Sequence, residues 1–300
     1  MSVVEKTLRK LQDARKSSSD PAAGTAASTD SNARTPSGGK RALETEHLPW
    51  IIIDRAALRA SGLLPPTQEE RRLSSQYRKI KRPLIANAFG RGVERVPNGH
   101  VIMLASAMPG EGKTFTALNL ALSIAKEKDL NVLLVDADVP KPHLSRKFGL
   151  EGEQGLLDLL RDPQLDVDAV VRQTDIPTLT FLPAGKNSGD ATELLASKRM
   201  EELIEQFGER DSHRIVLFDT PPLMQTTESP ALAHVAGQVL VVVRAESTPQ
   251  PVVLDALESL QDHPAVSLVL NQSMRSENSA YYYSGYGDAS SDLSSTSESD

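Results

Sequence analysis

Apolar positions along the chain fall into three regimes. In the first, SVVEKTLRKLQDARKS carries Val4, Leu8 and Leu11 at i, i+4 and i+7, which predicts a short amphipathic helix over residues 1–16. That helix is either a frayed terminus or a docking element for a partner. Periodicity is then lost over residues 17–47, where Ser, Ala, Thr, Pro and Gly dominate. Such a stretch buries too little surface to offset its ordering entropy and is expected to be a disordered linker. Residues 48–97 read as an N-terminal helical extension. LPWIIID (Leu48 to Asp54) is a short strand or a docking segment. TQEERRLSSQYRKIKRPLIANAFG reads as a long helix opened by Thr67, with Glu69 and Glu70 in its first turn. Pro83 is expected to kink or split it.

The third regime is regular. HVIMLAS, NVLLVDAD, LTFLPAG, RIVLFDT, QVLVVVRA and VSLVLNQ are near-continuous apolar runs, most of them separated by helical stretches. This alternation predicts an α/β domain over residues 98–272, with a mostly parallel sheet covered by helices on both faces. Beyond Ser273 the chain turns polar. Residues 273–300 read as a flexible tail, and Gly287 to Asp300 holds four acids and no base. Four of the five tyrosines of the chain lie in this tail, at Tyr281, Tyr282, Tyr283 and Tyr286.

Composition narrows the chemistry. With no cysteine, disulfides, thiolate metal sites, iron–sulfur clusters and a cysteine nucleophile are excluded. A net charge of −7 and an aromatic content of 4% argue against nucleic acid as a partner. No apolar run reaches the ~18 residues that span a bilayer. Locally the sign of the charge reverses. From Arg71 to Arg82 there are six basic residues and no acid, which is a solvated face, a subunit interface or a surface drawn to acidic membrane.

The first core strand runs into ASAMPGEGKTFTALNLALSIA. Gly112, Lys113 and Thr114 fit the end of G-x-x-x-x-G-K-[ST], with Ala107 in place of the first glycine, a residue that tolerates positive φ poorly. Glycines let backbone N–H groups turn onto phosphates, and a helix N-terminus adds partial positive charge. Pro109, Gly110, Glu111, Gly112, Lys113, Thr114 and Phe115 are therefore the candidate nucleotide loop of a P-loop NTPase. Lys113 would reach the β- and γ-phosphates, and Thr114 would offer its hydroxyl to Mg²⁺. Asp136 and Asp138 end the next strand and Asp219 ends another. Ligands of open α/β sheets bind beyond the carboxyl ends of the strands, so the three carboxylates are expected to meet at the loop. A turn-forming or capping role is the competing reading of each.

With these segments the chain resembles the bacterial tyrosine kinases, and more narrowly the exosortase-associated tyrosine autokinases of exopolysaccharide loci, over about Leu48 to Tyr286. AMPGEGKT, the D-x-D of Asp136 and Asp138, IVLFDTPP with Asp219, ELLASKRM, and the tyrosine cluster YYYSGYGD carry the resemblance. The family's loop has a small residue where Ala107 stands. Two positions depart from its pattern. Pro140 stands where arginine is usual, with Lys141 beside it, and Ser75, Arg78 and Lys81 stand where the family has E-x-x-R-x-x-R.

The resemblance implies an ATP-dependent protein-tyrosine autokinase. Lys113, Asp136 and Asp138 would be catalytic, with Asp136 as base and Asp138 as the alternate. Thr114, Asp138 and Asp219 would hold Mg²⁺. Tyr281, Tyr282, Tyr283 and Tyr286 would accept phosphate. Tyr281 lies ten residues beyond Asn271, an extended reach of ~33–36 Å, enough for transfer to a neighbouring copy. Asn271 touches the adenine by analogy with related folds, or caps a turn.

The implied partners are further copies of the chain in a homo-oligomer, the cytoplasmic tail of an integral-membrane polysaccharide co-polymerase or chain-length determinant, and a tyrosine phosphatase. The implied location is cytoplasmic, held peripherally at the inner membrane through that partner. Two other functions compete. One is a positioning ATPase of the Par/Min type, which would carry a second lysine at the position of Met108. The other is a nucleotide-dependent, non-enzymatic adaptor of a membrane polysaccharide exporter.

Overall fold

A computed structural model describes residues 50–273. The helix expected at residues 1–16, the linker and the tyrosine tail lie outside the described residues. Eight strands form one sheet: β1 (Trp50–Ile51), β2 (Val101–Ala105), β3 (Asn131–Asp136), β4 (Arg172–Thr174), β5 (Leu179–Leu182), β6 (Arg214–Asp219), β7 (Gln238–Arg244) and β8 (Val266–Asn271). Their order is β1-β4-β5-β3-β6-β2-β7-β8, and every neighbouring pair is parallel except β4 with β5. Each predicted apolar run became a strand. The short edge pair β1 and β4 runs opposite to the other six.

The helices are α1 (Arg55–Ala60), α2 (Glu70–Phe89), α3 (Lys113–Ile124), α4 (His143–Lys147), α5 (Leu156–Arg161), α6 (Val167–Val170), α7 (Ala191–Leu195), α8 (Lys198–Arg210), α9 (Glu228–Val235) and α10 (Gln250–Glu258). They cover the sheet on both faces because alternate strand residues point to opposite sides. Val101, Met103, Leu133, Val135, Val216 and Phe218 pack with α5, α8, α9 and α10. Ile102, Leu104, Val132, Leu134, Ile215 and Leu217 pack with α1, α2 and α3. Near-continuous apolar strands follow from this double burial.

The long helix differs from expectation in two respects. It opens at Glu70 rather than Thr67, which lies in the turn that precedes it. It also runs on through Pro83 to Phe89, ended by Gly90 in the left-handed region at φ 66°. Proline removes one N–H and crowds the preceding turn. Leu84, Ile85 and Ala88, all buried beyond it, keep the last two turns packed.

Candidate active site

β2 is flanked by β6 and β7, and β3 lies beyond β6. The loop after β2 therefore sits above the middle of the sheet, beside the ends of β6 and β3. In the register of the sheet Asp136 lies directly opposite Asp219, each the last residue of its strand. Both continue the series of side chains that faces α3 (Val132 and Leu134; Ile215 and Leu217). The sheet thus brings two carboxylates to the root of the loop, as the strand-end argument expected.

The loop from Ser106 to Gly112 opens α3 and is held by its own side chains together with residues beyond β7 and at the end of β8. Gly110 and Gly112 have φ of 78° and 96°. At Gly112 the φ requires glycine, and a Cβ would also lie 2.1 Å from Nδ2 of Asn271, whose side chain would have to move. The concern over Ala107 is resolved differently. Ala107 is fully buried and is not among the positive-φ residues, so no glycine is needed at that position.

Glu111 is buried. Its carboxylate accepts from the Met108 N–H at 2.6 Å, the Thr248 hydroxyl at 2.5 Å and the Arg244 N–H at 3.3 Å. It fastens the loop to the exit of β7. Asn271 donates to the Glu111 carbonyl at 2.9 Å and accepts from the Gln272 N–H at 2.9 Å. It joins the end of β8 to the loop. Phe115 packs partly buried against the α3 side of the core.

Lys113 is the first residue of α3 and is almost fully buried. Its Nζ donates to Ser106 Oγ at 2.8 Å, and that hydroxyl donates to the Met108 carbonyl at 2.7 Å. Burial pulls the Lys113 pKa down, while Asp219, Asp138 and Glu111 pull it back up. The three acids are therefore close enough to one ammonium to act on it.

The acids differ in environment. Asp219 is wholly buried and neither of its oxygens has a hydrogen-bond partner. Burial, then the charge of Asp136, pushes it up to about 8, against the nearby Thr114 hydroxyl and Lys113. Asp136 is also wholly buried and is pushed up to about 7 by burial, against hydrogen bonds from Ser145. Its Oδ1 has no partner. Asp138 is half-buried just beyond β3. Burial raises its pKa, and Lys113, Lys141 and His143 oppose the rise. Lys141, the basic neighbour of the displaced arginine position, donates its N–H to Asp138 Oδ1 at 3.2 Å.

Among the described residues, no three His, Asp or Glu side chains form a metal cage. A Mg²⁺ held together with substrate phosphates takes only one or two carboxylates, and the Asp219 oxygens are hard donors of that kind. The fifth tyrosine, Tyr77, is buried in α2 against Thr116, with its pKa raised by burial. It is not available as an acceptor. The other four lie outside the described residues; the structure gathers Lys113, Thr114, Asp136, Asp138 and Asp219, sets Asn271 on the loop, and turns Phe115 into the core. Sequence reasoning missed Ser106, Ser145 and Thr248. Ser106 lies next to the motif; the other two meet the site only through folding.

Comparison with known proteins agrees with this geometry. Residues 99–263 match the AAA_31 family model, described as an AAA domain. The tyrosine-protein kinase YwqD of Bacillus subtilis is 30% identical over 78% of this chain and 96% of its own. The putative tyrosine-protein kinase EpsB of Ralstonia nicotianae is 38% identical over 54% of this chain. The match covers only 21% of that protein, so the chain spans about a fifth of such relatives. The solved VpsO kinase domain superposes with a TM-score of 0.57 at 29% identity, over 69% of this chain and 100% of that one.

Proposed function

We propose a function from one established premise: the chain belongs to the AAA-domain family and, within it, to the bacterial tyrosine kinases. It transfers the γ-phosphoryl group of ATP to its own C-terminal tyrosines and so regulates exopolysaccharide synthesis or export. The observation that carries this reading is the convergence of Lys113, Asp136, Asp138 and Asp219 on a glycine-turned loop at the helix N-terminus.

Phosphoryl transfer asks for positioning and charge neutralisation more than covalent chemistry. The N–H groups from Gly110 to Phe115 face the phosphates, and Lys113 leaves Ser106 to bind them. Thr114, Asp138 and Asp219 would hold Mg²⁺, which supplies neutralisation of phosphoryl charge when bound. A tyrosine hydroxyl, with a pKa of about 10, needs a base as it attacks. Asp136 takes that role, with Asp138 as the alternate. The tail reaches the site of a neighbouring copy in a homo-oligomer, and each added phosphate contributes about −1.5 to −2 charge. That accumulation loosens contacts with other copies and with a membrane-protein partner that holds the kinase at the inner membrane. A tyrosine phosphatase resets the tail.

The test is incubation of the purified chain with γ-³²P-ATP. Label is expected on the wild-type protein and is expected to be lost when Tyr281, Tyr282, Tyr283 and Tyr286 are all changed to Phe. Phosphate release without labelling would overturn the reading in favour of a positioning ATPase.

A further inference from the structure

We propose that Trp50 and Ile52, on the open edge of the sheet, form a docking surface for residues 1–16 of the same chain. The inference does not depend on the kinase chemistry. Trp50 is 62% exposed and Ile52 is 83% exposed. Successive residues of an extended segment point to opposite sides. Ile51 and Ile53 turn into the core shared with α1, α2 and α3, and Ile53 is buried there. Trp50 and Ile52 therefore share the other face. In the register of the sheet Trp50 lies beside Gln173 of β4, which is buried. The layer that covers this face thus reaches β4 and leaves β1 open. Among the described residues β1 is also the last strand on its side of the sheet.

An adjacent tryptophan and isoleucine are a large apolar surface to leave in water, and tryptophan is enriched where another element binds. The other exposed apolar pair, Leu268 and Leu270, lies on β8 at the opposite edge, close to where the tyrosine tail begins. The N-terminal segment joins the sheet at β1.

Area and tether select the occupant. A stable dimer buries ~800 Å² on each partner, more than two side chains offer. β1 has two residues, too few for a second copy to pair with as a strand. A segment already joined to β1 needs far less contact. Residues 17–49 connect it to Trp50. A chain of that length and composition has a root-mean-square span of about 30 Å, which holds its far end near the patch at an effective concentration on the order of millimolar. The far end is the stretch with Val4, Leu8 and Leu11 at helical spacing. An amphipathic helix that lays such a stripe on an apolar surface is a recurrent mode of recognition.

Trp50 is the only tryptophan of the chain, so its fluorescence reads this surface alone. The experiment is tryptophan emission and acrylamide quenching of the full chain without nucleotide. The urea-unfolded chain is the reference for an indole in water. Wild-type emission is expected to lie to the blue of that reference, with weaker quenching, and to stay there on dilution. The double variant Leu8→Asp, Leu11→Asp is expected to shift emission to the red and to raise quenching, while the protein still melts cooperatively. The reciprocal variant is Ile52→Asp, at a side chain exposed enough to leave the fold intact. It is expected to speed tryptic cleavage after Arg9 and Lys10, which docking protects.

The same emission from wild type and from the Leu8, Leu11 variant would overturn the proposal, because residues 1–16 would then not be what covers Trp50. Wild-type emission that moves to the red on dilution would assign the cover to a second copy and overturn it as well. So would unchanged tryptic cleavage of Ile52→Asp. None of these readouts involves phosphate transfer, so each failure leaves the proposed activity standing.

Discussion

Lys81 and Asp219 lie at similar depth and are treated in opposite ways. Lys81, on α2, is 5% exposed. Its Nζ reaches the Ser123 carbonyl at 2.6 Å and the Glu127 carboxylate at 2.6 Å. Asp219 is 0% exposed and neither oxygen has a hydrogen-bond partner. A buried charge is ordinarily tolerated only when paired. Lys81 obeys that rule and serves the fold, joining α2 to α3. Asp219 meets it another way: burial and Asp136 push it up to about 8, so it keeps its proton at neutral pH, on the strand ends that flank the nucleotide loop. The lesson is local: here two buried carboxylates with partnerless oxygens stand side by side at strand ends next to the loop, where packing has no use for them.

The comparison is broken most severely at the loop. Lys113→Met removes the buried ammonium on which Asp219, Asp138 and Glu111 act, and is expected to lower tail labelling by a factor of about 10² to 10³, with the circular dichroism spectrum unchanged. Gly112→Ala comes next. It places a side chain at φ 96° and against Asn271, and is expected to cost about 1–3 kcal/mol in urea unfolding and to abolish ATP binding by calorimetry.

Asp219→Asn sharpens the contrast. Asp136 and Asp219 titrate higher in the fold, at about 7 and about 8, than in an unfolded chain near 3.8. The folded state then binds more protons than the unfolded one. Their contribution is fully present below about pH 4 and is lost as pH rises through the folded values. The nucleotide-free protein is therefore expected to melt lower at pH 8 than at pH 5, and Asp219→Asn to raise its Tm by several degrees at pH 8 and by little at pH 5.

The smallest effect belongs to the paired charge. Glu127 is 44% exposed at its side chain, so Glu127→Ala should cost only about 1 kcal/mol by urea unfolding and leave labelling unchanged.

The sheet was legible because double burial writes itself as unbroken apolar runs, and all six became strands. The edge pair was harder. β4 is only Arg-Gln-Thr, held by its neighbours β1 and β5, and its own residues carry no strand signal. The loop was legible because its contacts are local. Its closure was not. Asn271 meets Glu111 across 160 positions and Thr248 meets Glu111 across 137. Ser145 is only nine residues from Asp136, yet the turn that joins them has no periodicity to read. The depth of Lys81 was hidden for another reason. Six basic residues in twelve read as a solvated face, and only packing against α3 shows that one of them points inward.

The account stands on Asp219 being left unpaired for the reaction rather than for the fold. The measurement that tests this most directly is the labelling rate of Asp219→Asn from γ-³²P-ATP, taken on the same sample as its melting curve at pH 8. The account predicts a protein that melts higher than wild type and transfers phosphate at least about 100-fold more slowly. A variant that labels its tail at the wild-type rate, or that melts lower than wild type, would contradict it.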